Sequence, residues 1–549
     1  MTMAAAPFEP HEVLNQPPPL VDYDLFGTDL ALKEAVVREG GAWALDELGT
    51  FGRKLGRAET IEAGRLANAY PPVPRLFDRY GRRIDEVEFH PAWHELMGLA
   101  IGEGLHTRPW AEPRPGAHVA RAAGVIMMVQ IEAGVQCPTT MTYGVVPALK
   151  KAPDLAAEWL PRLYSRQYDK RLIPASQKTG VLMGMGMTEK QGGSDLRANL
   201  TRAVPQGGAG AFRLDGHKWF FSAPMCDAFL VLAQAPGGLS CFFLPRFLPD
   251  GSRNAIHVQR LKDKLGNKSN ASSEVEFHGA AAWLVGEEGR GVPTIIEMGN
   301  YTRLDCALGS TGLMRQAVAQ AGHHAAHRSA FQKRLIDQPL MTNVLADLAI
   351  ESEAATALVL RLARAYDRQD DAAETAFRRM LTPATKYWIC KRGPALGAEA
   401  MEVLGGNGYV EEAIMARLYR ELPLNSIWEG SGNVMCLDVL RALAKTPEAL
   451  DVALAEIKAA RGADRRLDAH VAALTDEIAR DGFQESQARR LVERLVLALQ
   501  GALLVRFSDA AVADGFCASR LAGAQSGAFG TLPQGVDLRA IAERGRPAL

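Results

Sequence analysis

Hydrophobic and polar residues recur with helical spacing through most of the first 180 residues. The run HVARAAGVIMMVQIEAGVQCP (118–138) keeps this period for about six turns and ends at a proline, which predicts one long helix. Proline clusters at 17–19 and 71–74 interrupt the pattern. We therefore predict an N-terminal helical domain over residues 1–180.

Short β-rich runs replace the helical period between residues 181 and 292. FRLDGHKWFFS, AFLVLAQA, LSCFFLP, IHVQRL and SSEVEFH are separated by Gly, Pro and Asn turns, as in a small barrel or sandwich. Helical patterns return over 293–445, and residues 446–549 are rich in Ala, Leu and Arg, with a Gly-rich tail after residue 522. The overall prediction is an α+β multidomain protein: a helical domain, a β domain (181–292), a second helical domain (293–445) and an extra C-terminal helical domain (446–549).

Composition limits the possible classes of protein. The chain has 549 residues, of which 47% are apolar and 23% charged, so it is globular rather than disordered. Its formal net charge of −1 provides no overall attraction to nucleic acid or anionic membranes, so any basic surface must be local. The apolar run at 491–505 is too short and too charged to span a bilayer.

Cysteine spacing and the N-terminal sequence bear on the cellular compartment. The seven cysteines show no CxxC or Cys/His spacing, which favours reduced thiols and no metal site. The first twenty residues lack the basic run and apolar core of a signal peptide. We therefore expect a cytoplasmic protein.

The first segment with chemical potential is MGMTEKQGGSD (185–195). A strand that enters a turn with two adjacent glycines leaves backbone N–H groups free to face an anion or a ring edge. Thr188 and Ser194 add hydroxyl groups. The segment is neither a P-loop nor a GxGxxG fingerprint, and taken alone it is better explained as an ordinary polar turn.

Two further segments carry aromatic and acidic residues. GHKWFFS (216–222) places aromatics on a strand, where they are more often core than ligand contacts. In NSIWEGSGN (425–433), which follows LGGNGY (404–409), Glu429 lies between an aromatic residue and a flexible turn. Partial desolvation of this carboxyl group would raise its pKa into the range of a general base; the alternative is a helix-capping turn with a solvated acid.

Together and in this order, the three segments resemble those of the acyl-CoA dehydrogenase family. The resemblance implies the fold of that family, with a helical domain, a β-barrel or sandwich and a four-helix bundle, and it implies FAD as the cofactor. Glu429 falls at the position of the base that removes an α-proton. Matching residue by residue, the implied cofactor-binding residues are Met185, Met187, Thr188, Gly193, Ser194, Trp219, Phe220, Phe221, Ser222, Gly405, Gly406, Ile427, Trp428, Gly430, Ser431 and Asn433.

The resemblance also implies an oligomer. Arg328 and Phe331 match the family's arginine and phenylalanine that reach the FAD of a neighbouring subunit, which implies a homotetramer. The family's glycine after that phenylalanine is Gln332 here, and a glutamine further along is Pro339. Some members carry the base on an earlier helix, where this chain has Thr302, so Glu429 is the only candidate base in place.

The segments RLKDKLGNKSNASSEVEF and NSIWEGSGN are most similar to a subgroup of the family with an extra C-terminal helical domain. That similarity implies a flavoprotein of the DNA-alkylation response that binds double-stranded DNA and has weak dehydrogenase activity. Basic residues that would contact phosphates in a sequence-independent way are Arg441, Lys458, Arg461, Arg465, Arg466, Arg489, Arg490 and Arg494. Nearby acids offer the alternative of surface ion pairs, and Arg441 can serve either the flavin or DNA.

Two functional hypotheses follow from these residues. In the first, the protein is an FAD-dependent oxidoreductase acting on an acyl-CoA, such as an isovaleryl-CoA-like substrate, without a DNA role. In the second, it binds DNA and protects it or inactivates alkylating agents, with dehydrogenation as a minor activity. Electron transfer without a substrate is less favoured, because Glu429 is retained.

Overall fold

The computed structural model of the protein describes residues 12–208, 210–522 and 527–548. Two predictions fall partly outside the described residues. They concern the N-terminal sequence, at residues 1–11, and the Gly-rich tail, at residues 523–526. The described chain folds as helical, β and helical parts in sequence order, which confirms the predicted α+β architecture.

The N-terminal part consists of helices interrupted by one β-hairpin. Its elements are α1 (Leu30–Arg38), α2 (Leu45–Leu55), α3 (Ala58–Ala69), β1 (Val73–Phe77), β2 (Arg83–Glu88), α4 (Pro91–Gly102), α5 (Arg108–Ala111), α6 (Ala117–Ile131), α7 (Gln136–Leu149) and α8 (Pro153–Leu163). The helical pattern did not predict the β1–β2 hairpin. Its turn is closed by the Asp78 carboxylate, which accepts hydrogen bonds from the N–H groups of Tyr80 and Arg82 at 2.8 and 2.9 Å.

The helix predicted over 118–138 is two helices, α6 and α7. Glu132 between them has an extended backbone, and its carboxylate accepts a hydrogen bond from the Val135 N–H group at 2.8 Å. The loop around Ser269 packs so closely here that a Cβ atom at Gly134 would lie 1.8 Å from the Ser269 hydroxyl oxygen. The extended backbone at Glu132 ends α6 although the apolar pattern continues, and the Glu132 hydrogen bond and the close contact at Gly134 fix the chain between the two helices.

The central part is a small closed barrel. Its strands are β3 (Met183–Gly186), β4 (Arg202–Pro205), β5 (Ala211–Ser222), β6 (Ala228–Ala235), β7 (Gly238–Pro245), β8 (Ile256–Leu261) and β9 (Ser272–Val285). The pairing order is β3-β6-β4-β5-β9-β7, β8 pairs with β9, and β7 also pairs with β6, which closes the ring. The long antiparallel β5–β9 ladder runs from the Ala211–Trp283 pair to the Ser222–Ser272 pair.

Long helices follow the barrel. The elements are α9 (Gly291–His327), β10 (Ser329–Ala330), β11 (Lys333–Arg334), α10 (Pro339–Asp367), α11 (Ala372–Val403), α12 (Gly406–Tyr409), α13 (Ile414–Glu421) and α14 (Gly432–Lys445). Helix α9 packs against α6, α7, α10 and α11. A fully buried Arg121–Asp305 ion pair, with contacts of 2.6 and 2.7 Å, joins α6 to α9 and so fixes the N-terminal helices on the bundle.

The C-terminal segment adds α15 (Glu448–Lys458), α16 (Arg465–Asp481), α17 (Ala488–Phe507), α18 (Ala510–Phe516) and α19 (Leu538–Gly545). Helix α19 lies within the stretch predicted as a tail, and it packs on α10. Helix α17 packs on α10, α11, α14 and α15, so the segment shares one apolar core with the bundle. The 491–505 run lies in the buried part of α17, and none of the described helices is long and apolar enough to cross a membrane.

Candidate active site

Glu429 lies in the tight turn between α13 and α14. Its backbone φ is +58°, an unusual conformation for a residue with a side chain, and Gly430 follows at +106°. The Glu429 side chain is half-buried, and the Trp428 indole beside it donates a hydrogen bond to the Asn425 side chain at 2.9 Å. Ile427 points outward, 62% exposed. Glu429 and Gly430 thus form a tight turn with left-handed backbone, which leaves the Glu429 side chain half-buried.

Three residues hold this turn, and sequence reasoning assigned a role to none of them. Lys386 on α11 is almost fully buried and donates hydrogen bonds to the carbonyl groups of Trp428, at 2.8 Å, and Gly430. Arg303 on α9 donates to the Glu429 carbonyl at 3.1 Å and pairs with Asp438 at 2.8 Å. The left-handed backbone is thus fixed by two buried cations.

The third residue, Thr302, contacts the Glu429 carboxyl group directly. Its hydroxyl donates a hydrogen bond to Glu429 Oε2 at 2.5 Å. Burial raises the pKa of Glu429, and this hydrogen bond and the charges of Arg303 and Lys386 oppose the increase. A carboxyl group with a raised pKa next to stabilising donors has the properties of a general base.

The turn after β3 is fixed by a fully buried ion pair. Lys218 Nζ on β5 lies 2.7 Å from Glu189 Oε1, and both side chains are 0% exposed. Glu189 also accepts hydrogen bonds from the N–H groups of Leu200, at 2.6 Å, and Thr201, at 3.2 Å. Burial alone would raise the pKa of Glu189, but Lys218 and these donors lower it to about 2, so the carboxylate is ionised.

This pair leaves the polar groups of the turn available to a ligand. A Cβ atom at Gly193 would lie 2.3 Å from the Thr188 hydroxyl oxygen, so the close turn requires glycine there. Met185 lies buried in β3, and Met187 is half-buried at the start of the turn. Among the described residues, the hydroxyl groups of Thr188 and Ser194 have no hydrogen-bond partner.

Strand β5 presents its motif residues on two faces. Phe220 is 52% exposed, and Trp219 packs under the Lys262 ammonium group, 3.4 Å from the ring centroid. Ser222 is half-buried. Phe221 is fully buried in the barrel, with its ring centroid 4.3 Å from that of Phe229. Strand alternation therefore separates Phe221 from the open face that carries Phe220 and Ser222.

A buried polar cluster that the sequence did not indicate lies beside Ser222. The Cys137 side chain contacts Ser222 and Asn270, and burial raises the pKa of its thiol to about 11. Lys264 donates hydrogen bonds to the Asn270 carbonyl, at 2.5 Å, and to the Ser272 hydroxyl, at 3.0 Å. Burial lowers the pKa of Lys264 to about 8. No sequence signal joins these residues, because Cys137 lies on α7 and the others lie around β9.

The domain matches and relatives identify the family. Residues 15–170 match the adaptive response protein AidB N-terminal domain, residues 184–280 the acyl-CoA dehydrogenase middle domain, and residues 289–444 the acyl-CoA dehydrogenase C-terminal domain. The putative acyl-CoA dehydrogenase AidB of Escherichia coli (strain K12) is 51% identical over 512 residues, which cover 93% of this chain and 94% of that protein. The chain belongs to the acyl-CoA dehydrogenase family.

Solved structures agree with this assignment. Caenorhabditis elegans ACDH-11 in complex with C11-CoA has a TM-score of 0.84 and 26% identity, covering 99% of this chain and 94% of that chain. The structure described as Bd2924 apo-form has a TM-score of 0.82 and 30% identity, covering 90% of this chain and 99% of that chain. As a member of the family, the protein is an FAD-dependent oxidoreductase.

The residues of this family member fit FAD. The unpartnered Thr188 and Ser194 hydroxyls, the open face of β5 and the N-terminus of α14 supply donors for a ring edge and for phosphates. Ser431 caps α14 without a side-chain hydrogen bond, so its hydroxyl is also available. Asn433 in the first turn of α14 is exposed.

The residues that match the family's intersubunit FAD contacts lie in two other segments. Arg328 donates a hydrogen bond to the Asn15 carbonyl at 2.5 Å, and Phe331, at the tip of the β10–β11 hairpin, is 93% exposed. Gly405 has a φ of +59° and Gly406 begins α12, where Asn407 contacts Gln16 at 3.2 Å. The N-terminal residues Asn15 and Gln16 thus bring both segments together on one surface.

The basic residues predicted to contact DNA fall into three groups. Arg466, Arg490 and Arg494 pair with carboxylates: Arg466 with Asp464 and Asp514, and the other two with Glu477. Arg489 donates a hydrogen bond to Asn433. The exposed basic residues of this set that have neither an ion pair nor a side-chain hydrogen bond in the described part of the chain are Arg441, Lys458, Arg461 and Arg465.

Proposed function

We propose that this protein removes the α-proton of an acyl-CoA thioester with Glu429 and thereby desaturates the acyl chain. The proposal rests on the half-buried Glu429 carboxyl group, whose pKa burial raises and whose Oε2 atom is held by Thr302 at 2.5 Å. FAD, when bound, supplies the acceptor for the β-hydride. C11-CoA is present in the structure of the related ACDH-11, which supports a thioester substrate.

Each group around Glu429 has a defined task in this proposal. Thr302 orients the carboxylate, and its hydrogen bond opposes the rise in the Glu429 pKa that burial causes. Lys386 and Arg303 fix the turn, so the carboxylate does not have to reorganise during proton transfer. The half-buried position limits access of water, which strengthens these electrostatic effects.

Anaerobic titration with isovaleryl-CoA and a panel of other acyl-CoA thioesters tests the proposal. We expect at least one thioester to bleach the flavin absorbance in the wild type, and the substitution Glu429→Gln to slow bleaching by at least about a hundredfold. Glu412→Gln is the matched control, because Glu412 is exposed and has no ion pair in the described part of the chain. If no thioester bleaches the flavin, or if E429Q reacts like the wild type, the proposal is wrong.

DNA binding is a second proposed function, supported by one specific observation. Arg441, Lys458, Arg461 and Arg465 are exposed and unpaired among the described residues, on α14, α15, α16 and the intervening loop. Free guanidinium and ammonium groups suit phosphate oxygens without reading the base sequence. Such contacts suit a protein that shields damaged DNA.

Two sets of variants test DNA binding. Charge removal at the four unpaired residues should weaken duplex binding more than tenfold and reduce the salt slope by about 3.6, because each of four phosphate contacts contributes about 0.9. The control variant is R466Q/R490Q/R494Q, because carboxylates already neutralise these three arginines in the wild type. Equal effects of the two sets would exclude the proposed surface.

We also propose that the protein assembles into a homotetramer. Phe331, Leu340 and Tyr409 are large apolar side chains that are more than three-quarters exposed. Side chains of this kind are commonly covered by another subunit. Sedimentation should give a tetramer for the wild type and smaller species for F331S/L340S; monomeric wild-type protein would contradict the proposal.

A further inference from the structure

Arg489 connects the C-terminal segment to the first turn of α14, which follows the turn that carries Glu429. It lies in the first turn of α17, and its Nε atom donates a hydrogen bond to Asn433 Oδ1 at 2.8 Å. Its guanidinium group also lies near the Tyr387 ring, 5.9 Å from the ring centroid. Helix α17 is beyond residue 444, where the last of the three matched family domains ends. The contact thus comes from a part of the chain that those domains do not include.

Two cationic side chains lie at the start of α14: Arg489 on Asn433 and Lys391 beside Gly432. The Lys391 side chain packs so tightly that a Cβ atom at Gly432 would lie 3.1 Å from Lys391 Cε. The first turn of α14 contains no acidic residue. Cations at a helix N-terminus oppose the helix dipole, which favours an anion at that end. Arg489 and Lys391 therefore make this turn electropositive in a position that an anionic ligand would stabilise.

The neighbouring Arg490 shows that this orientation is specific. Arg490 is also exposed, but it pairs with Glu477 on α16 at 3.1 Å. Two adjacent arginines on the same helix therefore face different surroundings: Arg489 contacts Asn433 in the first turn of α14, and Arg490 contacts an acid of its own segment. This difference supplies a matched control.

We propose that Arg489 is a positioning residue for FAD, which fixes Asn433 and places a positive charge beside the diphosphate half of the cofactor. The proposal rests on the assignment of Asn433 to the cofactor site, but not on the catalytic role of Glu429. If Arg489 has this role, the affinity for FAD depends on the C-terminal segment. By thermodynamic linkage, anything that displaces α17 weakens FAD binding.

Equilibrium binding of FAD to deflavinated full-length protein, followed by flavin fluorescence, tests the proposal. We expect R489Q to weaken FAD binding about tenfold, in line with the loss of one charged hydrogen bond. R490Q should stay within about twofold of the wild type, since a surface ion pair contributes little. R489K, which keeps the charge and a donor, should recover part of the loss.

A double-variant cycle separates this role from a general structural one. N433A alone should weaken FAD binding, and N433A/R489Q should be no weaker than N433A, because the two residues act through one contact. Unchanged FAD affinity in R489Q, or fully additive losses in the double variant, would overturn the proposal. A failure of E429Q to affect catalysis would leave these affinities unchanged, so the two proposals fail independently. A wild type that does not bind FAD would overturn both.

Discussion

Lys386 is buried between the two carbonyl groups that flank Glu429, and its charge lowers the pKa of that carboxyl group. A general base must be deprotonated, so flavin reduction should rise with pH through the Glu429 pKa. Lys386→Met removes a stabilising positive charge, which raises this pKa. We expect the pH profile of flavin reduction by isovaleryl-CoA to move to higher pH by about 1 unit.

Thr302→Val removes the hydrogen bond to Glu429 Oε2 and should move the profile in the same direction. Lys386→Arg should restore most of the wild-type profile, and Lys445→Met, at the exposed end of α14, serves as the control for loss of one positive charge. The measurement is the rate of flavin bleaching in stopped flow from pH 5 to pH 9. A profile that is unmoved in K386M would show that Lys386 supports the turn only mechanically.

At the residue scale, sequence motifs identified Glu429 but not the groups that control it. Thr302 is 127 residues away along the chain, and the sequence marked it only as a position where some relatives carry an acid. Lys386 lies within a long helix pattern and carries no motif of its own. Phe221 was grouped with Phe220 because a motif does not state which strand face points to the core. Such relations depend on packing between distant segments.

At the element scale, the Glu189–Lys218 pair joins the turn after β3 to β5. Lys218→Met would leave a buried carboxylate without its partner, which typically costs about 3 to 5 kcal/mol. We expect a clearly lower melting temperature and weaker FAD retention, because the turn carries Thr188 and Ser194. Thermal unfolding followed by flavin release measures both effects.

The double variant Glu189→Gln/Lys218→Met provides the control for this element. It removes the unpaired charge and should recover much of the melting temperature lost in K218M. FAD retention should recover less, because the Glu189 carboxylate also accepts hydrogen bonds from Leu200 and Thr201. If K218M is as stable as the wild type, the ion pair does not hold the turn.

The order of helical and β parts was predictable from hydrophobic periodicity, but several boundaries were not. The β1–β2 hairpin is short and exposed, so its alternation is weak beside the surrounding helices. The pattern across 118–138 stays apolar through the bend at Glu132, because both α6 and α7 are buried on all sides. Helix α19 follows a Gly-rich stretch, and its packing on α10 is a long-range contact.

At the scale of the whole molecule, the C-terminal segment is bound into the fold by buried charges as well as apolar contacts. Arg520 lies 2.5 Å from Asp347 and 3.1 Å from Glu351 on α10. Burial would raise the pKa of Glu351, but Arg392 and Arg520 lower it. Composition showed a helical segment with balanced charge, yet it did not show that its arginines divide between buried pairs, surface pairs and unpaired positions.

Deletion of residues 446–549 should therefore destroy the fold rather than only remove a DNA-binding surface. The deletion uncovers the apolar faces of α10, α11 and α14 that α17 and α19 cover, and leaves Asp347 without its partner Arg520. Exposed apolar surface of this size causes aggregation, and an unpaired buried carboxylate adds to the loss of stability. We expect an insoluble or FAD-free product in expression trials and size-exclusion chromatography, whereas the full-length R441Q/K458Q/R461Q/R465Q protein should remain soluble and yellow. A truncated protein that is soluble, monodisperse and loaded with FAD would show that the segment is an independent domain. DNA binding is consequently best tested by point substitutions, because a deletion would remove the cofactor site and the proposed DNA surface together.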